Sequence, residues 1–461
     1  MISHQEMSHI LEAALSTGGD FAEIFFEDKN ELNIKCAEKV IRGITTVRIF
    51  GAGIYLLSGT RSVYVYTNGV SYQDLLRAAR QAAELLGTAE ASKTGDVVFS
   101  MQKPENPNRV EIYPSSVPYR EKIRLLRETD LAARSAGPKV LQLNADYFDT
   151  DQKVIIVNSE GLCTEDRRVT GRIRLQATVG DGARAQYDWG DYVRPLGFEA
   201  FREKGNYVGF ADEFIKDIAR GMRAVPATPC SVPVVLESGS CGTFWHEACG
   251  HQLEASAVSA NSSDFAGKLG QKVASDRVTL MDDGTMPGLY GSTAVDDEGH
   301  ATQKNVLIEN GILVNYMCDR LGGRKLNRPS TGSGRRQSYT YAPTSRMTNT
   351  YLAAGTDDDD EMIRTVDNGL YVKRIGGGTG GREFSIEVKE GYWIKNGRID
   401  HQVKGLVLNG RGIDLIKLVD RVGPNLRTEG GSFCGAASGL CPVTSFQPRM
   451  RISCMAVGGE G

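Results

Sequence analysis

Trp245-His246-Glu247-Ala248-Cys249-Gly250-His251 decides how the rest of the chain is read. It holds two of the six histidines in 461 residues, five apart, with a glutamate directly after the first. A His-Glu pair followed by a second histidine about one helical turn later is a local arrangement by which imidazoles hold a zinc ion and a carboxylate activates a water. A helix is the element that presents such a set. Most of the chain around it is written instead in short strands and glycine turns.

The spacing makes a demand on that helix. Residues four apart on an α-helix sit about 40° apart, but residues five apart sit about 140° apart. His246 and His251 reach one ion only if the helix is distorted, for example by a π-type turn of about 4.4 residues. Gly250, without a Cβ, is where the distortion is expected. His4 and His9 share the spacing without the glutamate.

Working outward, either serine of Ser238-Gly239-Ser240 suits a helix cap, and residues 232–236 read as a short buried strand before it. Two prolines in Pro226-Ala227-Thr228-Pro229 cannot continue a helix and mark the domain boundary. Beyond the motif, strands are expected over 305–309, 311–316, 369–375, 383–389, 391–394 and 403–407. Asn310-Gly311 and Asn396-Gly397 supply two-residue hairpin turns. Before the boundary, helical periodicity covers 3–15, 72–86, 120–136 and 208–225. Alternating strands fall at 21–26, 32–36, 45–55 and 62–66, with Asp28-Lys29-Asn30 read as a turn and one sheet face as wet. Residues 101–116, with Pro104, Pro107 and Pro114, read as a connecting loop, and residues 139–193 as further strands. The fold class is α+β: an N-terminal α+β domain over 1–225 and a C-terminal, mostly antiparallel β domain over 226–461 that carries the metal-binding helix.

Composition bounds the function. A hydrophobic share of 40% and a charged share of 24% are those of a globular protein. A net charge of −3 gives no electrostatic footprint for nucleic acid. No stretch approaches the roughly 18 apolar residues of a membrane span, and the N-terminus lacks a signal pattern, so a cytoplasmic protein is expected. Nine scattered cysteines, an odd number, read as free thiols with one or two on metal.

A third ligand must come from elsewhere in the chain. Cys434, Cys441 and Cys454 are the candidates in the last stretch; glycines in Gly430-Gly431-Ser432-Phe433-Cys434-Gly435 let a loop approach a metal, while the other two look like packed thiols.

Several ordered motifs then resemble the TldD/PmbA family of metallopeptidases, in its catalytic TldD-like branch. They are His246-Glu247-Ala248-Cys249-Gly250-His251-Gln252-Leu253-Glu254, the run from Leu289 through Asp296-Asp297-Glu298-Gly299, Arg336-Gln337-Ser338-Tyr339, Arg346-Met347-Thr348-Asn349, Lys404-Gly405, Cys434-Gly435 and Ala456-Val457-Gly458-Gly459. The resemblance implies zinc held by His246, His251 and Cys434, since Pro442-Val443 and Gln447-Pro448 follow the cysteine as in the family. It implies Glu247 as the base that, with zinc, activates water, and small or unfolded polypeptides as substrates. It also implies a homodimer, or a heterodimer with a metal-free PmbA/TldE-like paralogue. Glu254 reads as a residue able to orient a ligand; roles for Asp296, Asp297 and Arg346 stay open. Departures from the family pattern are Cys249, Thr344-Ser345 ahead of Arg346, and Cys441.

Rival readings are weaker. Cys249 could act as a nucleophile beside a histidine, but its helix neighbours explain it as packing. Gly376-Gly377-Gly378-Thr379-Gly380-Gly381 leads into a strand rather than a helix, so it is no phosphate cradle and is expected to approach another strand or a bound peptide closely. The acids 357–361 fit a helix N-terminus better than a calcium loop. A non-catalytic regulatory subunit with a structural zinc site is the alternative function, against which the intact Glu247 argues.

Overall fold

The computed structural model describes residues 2–87, 97–428 and 430–459. Seven strands of the first half form one sheet: β1 (Phe21–Ala37), β2 (Val40–Ser58), β3 (Arg61–Thr67), β4 (Ser100–Gln102), β5 (Val140–Asn158), β6 (Leu162–Gly180) and β7 (Ala185–Arg194). Their order is β3-β2-β1-β5-β6-β4, with β7 also on β6. β1 is one continuous strand, so the expected turn at Asp28-Lys29-Asn30 does not form. The polar residues there find partners instead: Asp28 takes Arg48 of β2 at 2.9 Å, and Lys29 takes Glu31 at 3.0 Å. The hairpin turns after residue 37, at Glu38 and Lys39, both with positive φ. β4 and a 3₁₀ turn at Pro114–Ser116 interrupt the expected loop over 101–116.

One face of this sheet is covered by helices. Ala22, Ile24, Leu32 and Ile34 share a face of β1 because side chains alternate. Helices α1 (His4–Leu15) and α2 (Tyr72–Leu86) cover one end of it. Helices α3 (Tyr119–Ser135) and α4 (Lys204–Gly221) cover the other. Glu23, Phe25, Glu27 and Lys29 point the opposite way. That face is not wet, as expected, but is buried against the second half: Phe25, Val154 and Ile156 pack on Val295 and Tyr339, and Arg336 reaches Glu23.

The second half is mostly antiparallel β. Strands Asn368–Thr379, Cys230–Leu236, Met450–Gly459, Leu406–Arg411 and Glu383–Lys395 pair in sequence, and the last pairs back on the first, closing a ring. Glu383–Lys395 is a single strand where two were expected, and 311–316 shortens to Ile312–Leu313. A six-stranded sheet beside the ring carries Ser432–Ala436 and Gly439–Phe446. Asn310, Gly311, Asn396 and Gly397 all take positive φ, as the hairpin reading requires. Asp358 caps the helix Asp359–Arg364, which is where the acidic run belongs. No described helix is long and apolar enough to cross a membrane.

Candidate metal centre

The helix of the motif, α5 (Thr243–Ala248), is short and buried on all sides that matter. Phe244, Trp245, Ala248 and Cys249 are inaccessible, and Phe244 meets Phe384 of the ring edge to face at 5.5 Å. Neither Ser238 nor Ser240 caps it; Gly242 stands at the N-cap without a side-chain bond. The distortion comes one residue before the expected Gly250, at Cys249, and not as a π turn. Cys249 leaves helical geometry at φ −130°, and Gly250–Leu253 resumes as a 3₁₀ turn. Packing favours Gly250: a Cβ there would overlap Met347 Sδ.

That break turns His251 toward His246, with ring centroids 4.9 Å apart and planes at 85°. Cys434 arrives from the strand Ser432–Ala436. One ligand atom from each of His246, His251 and Cys434 lies within 4.8 Å of the others. His251 Nε2 is 3.3 Å from Cys434 Sγ, close to the roughly 3.5 Å that separates a nitrogen and a sulfur on one tetrahedral zinc. Glu247 Oε2 stands 3.9 Å from His251 Nε2. Glu254 Oε2 lies 3.4 Å from His251 Nδ1, where it can hold the ring.

Electrostatics match the geometry. Burial, with the nearby His251 and Arg346 charges, holds His246 well below its ordinary pKa, so it presents a neutral ring. Its Nδ1 is buried without a partner among the described residues. Burial opposes charge on His251, but bonds to Cys434 and Glu254 push it up to about 11. The anionic surroundings that hold a proton there favour any cation in its place. Burial, partly opposed by His251, raises Glu247 above the usual carboxylate range. Two imidazoles and a thiol so placed fit zinc.

Cys441 is buried beside the site, opposite Cys434 in the paired strand, whereas Cys454 is exposed and not the packed thiol expected. Cys249 is fully buried, outside the cleft lining, and its burial disfavours a thiolate, which removes it as a nucleophile. Asp296, Glu298 and His300 also bring donor atoms within 4.8 Å, but Asp296 accepts the Glu298, His300 and Gly334 amides, and none of the three lines the cleft.

Arg346 is one of the residues that motif reading left without a role. Its buried guanidinium donates to the Cys434 carbonyl, to Ser438 Oγ at 3.1 Å and to the Gly439 carbonyl at 2.8 Å, with Glu254 Oε1 at 3.8 Å. It thereby ties the cysteine strand to the carboxylate that holds His251. Sequence gives no sign of this beyond the Arg346-Met347-Thr348-Asn349 motif.

The centre lies in the wall of a cleft of about 790 Å³. The glycine run lines it from the end of the strand Asn368–Thr379. A Cβ on Gly380 would sit 2.7 Å from Glu247 Oε2, and one on Gly378 would sit 2.9 Å from Glu247 Cγ. Asp188 and Trp189 of β7 line the cleft from the first half, and Asp188 binds Lys389 at 2.7 Å.

Models of PmbA/TldA metallopeptidase domain 1, central domain and C-terminal domain match residues 22–86, 112–222 and 229–459. The chain is 31% identical to a metalloprotease TldD homolog of Buchnera aphidicola subsp. Acyrthosiphon pisum, covering 99% of this chain and 96% of the relative. It is 30% identical to the Haemophilus influenzae homolog, over 99% and 97%. Its fold is similar to that of TldE from Thermococcus kodakarensis, with a TM-score of 0.74 at 16% identity over 98% of this chain and all of that one. With the domain models spanning most of its length and full-length relatives of the same name, the chain belongs to the PmbA/TldD family of metallopeptidases.

Proposed function

We propose that the cleft is a zinc-dependent peptidase site acting on small or unfolded polypeptides. The convergence of His246, His251 and Cys434 within 4.8 Å, beside Glu247, carries this reading. Three protein ligands leave one zinc position open. Zinc, when bound, supplies Lewis-acid polarisation and lowers the pKa of water. Glu247 takes the proton of the attacking water and returns it to the leaving amine. Glu254 fixes the tautomer and direction of His251.

The glycine strand supplies the substrate's place. Beyond Val372, among the described residues, its one strand partner is Glu383–Lys395, which leaves the other edge without a paired strand over the cleft. An extended peptide can add there as a strand, and the missing side chains let its main chain approach Glu247. Only an extended chain fits that mode, which supports small or unfolded substrates. The fold shared with TldE supports a dimer, with itself or with a TldE-like paralogue. Scattered cysteines, odd in number, support a cytoplasmic location, and the separate sheets support two units at 1–225 and 226–461.

Metal analysis with cleavage of an unstructured peptide tests the reading. Zinc-loaded protein, with its partner present, is expected to hydrolyse the peptide, and Glu247→Gln to abolish this; absence of such hydrolysis rejects it. Cys434→Ser is expected to lower zinc occupancy far more than Cys441→Ser or Cys454→Ser. Equal losses in all three reject the ligand assignment.

A further inference from the structure

A second cavity, of about 310 Å³, adjoins the cleft, and Phe433 lines both. The Phe433 ring meets Tyr290 edge to face at 5.4 Å, so this aromatic pair stands where the two spaces meet. Four cations, Lys29, Arg168, Arg335 and Arg336, line the second cavity against two carboxylates, Glu31 and Asp297. Three of those cations are already engaged. Lys29 lies 3.0 Å from Glu31, Arg168 holds Asp166 at 3.0 Å and also Asp297, and Arg336 holds Glu23 at 2.6 Å.

Arg335 differs. It is 6% exposed and donates through Nη1 to the Met347 carbonyl at 2.6 Å. Among the described residues, no carboxylate oxygen lies within the 4.0 Å of an ion pair. The buried Asp282 carboxylate feels the Arg335 charge but is taken up by Thr348 and Thr350, so the guanidinium lacks a direct ion pair, and a carboxylate entering the cavity supplies one. Its planar fork of N–H donors matches a carboxylate in shape as well as charge.

We propose that this cavity is a substrate subsite in which Arg335 binds a carboxylate of the peptide lying in the cleft. The carboxylate is the C-terminal one or an acidic side chain near that end; the chemistry is the same. The proposal takes its substrate class from the peptidase reading, but binding tests it without turnover.

Affinities are measured for zinc-loaded Glu247→Gln protein and three unstructured, labelled peptides. One has a free C-terminus and no Asp or Glu, the second is its C-terminal amide, and the third is the amide with one Asp near its end. The free acid is expected to bind about tenfold more tightly than the amide, with the preference falling to about one in Arg335→Met. Tight binding of the Asp-bearing amide alone assigns the subsite to a side chain and supports the same chemistry. Equal affinity for all three peptides, or a preference that survives Arg335→Met, overturns it. Unfolding midpoints and zinc content establish that the variant is folded. If it is not, Arg335→Lys, which keeps the charge but loses the fork, is expected to weaken the preference, and an undiminished preference there overturns the proposal. Failure of the peptidase reading shows separately, as absent turnover by the wild-type protein.

Discussion

Gly380 shows how closely the site is built at the scale of one residue. A methyl group on it would press, at 2.7 Å, on both the carboxylate and the main-chain carbonyl of Glu247 and, at 2.9 Å, on the His251 ring. Gly380→Ala is therefore expected to cut kcat by about 10²-fold, since a displacement near 1 Å at reacting groups costs that much. Gly377→Ala meets nothing within 4 Å and is expected to have a far smaller effect in the same assay. Glu237 gives a residue-scale prediction in pH. Burial alone would raise its pKa, but Arg449 at 2.5 Å, Tyr371 and the Ser238 amide bring it down to about 2. A lowered carboxylate pKa contributes stability above the unfolded value of 4.5 and loses it as pH falls toward about 2. Glu237→Gln is expected to be less stable than wild type above that window, with the gap closing through it. Unfolding midpoints against pH read this out, and a gap that does not narrow counts against the ion pair.

Among the elements, the broken helix is the most informative. Two histidines five apart already required a distortion near Gly250, because 100° per residue cannot place both on one ion. The sequence could not specify its form, since an irregular turn is selected by what packs against it. Met347, nearly a hundred residues on, fills the space where a Cβ at position 250 would go. Gly250→Ala is expected to cost about 1–3 kcal/mol by overpacking, and Met347→Ala in the same chain to recover part of it, as measured by denaturant unfolding. Strand reading went wrong for a related reason. Asp28, Lys29 and Asn30 have turn-forming character, yet Arg48 and Glu31 satisfy the first two within a continuous strand. The Asn-Gly hairpins, whose backbone demand is wholly local, came out as read.

At the scale of the molecule, the two halves meet through charge. β1 alternates apolar and charged residues, the pattern of a sheet with one face in water, but its charged face is the seam. Arg336 and Glu23 pair there with both side chains fully inaccessible, and Arg168 joins Asp297 across the same boundary. Arg336→Met leaves Glu23 buried without its partner and is expected to cost about 3–5 kcal/mol, while the double variant with Glu23→Gln costs less. Denaturant unfolding of the two variants checks this; equal costs would mean the pair is not coupled. The same docking brings Asp188 and Trp189 of the first half to the cleft, so the site's wall is complete only when both halves are present.

The sequence by itself determined the α+β class, the His-Glu pair, the required kink and the hairpin turns, because each follows from rotation per residue, side-chain alternation or backbone preference over a few positions. Motif resemblance added Cys434. Only the tertiary structure decided that the glycine run lies on Glu247, that Arg346 ties the cysteine strand to Glu254, and that the charged face of β1 is buried. Those are contacts between segments tens to hundreds of residues apart, and a side chain's character does not reveal which distant partner will meet it.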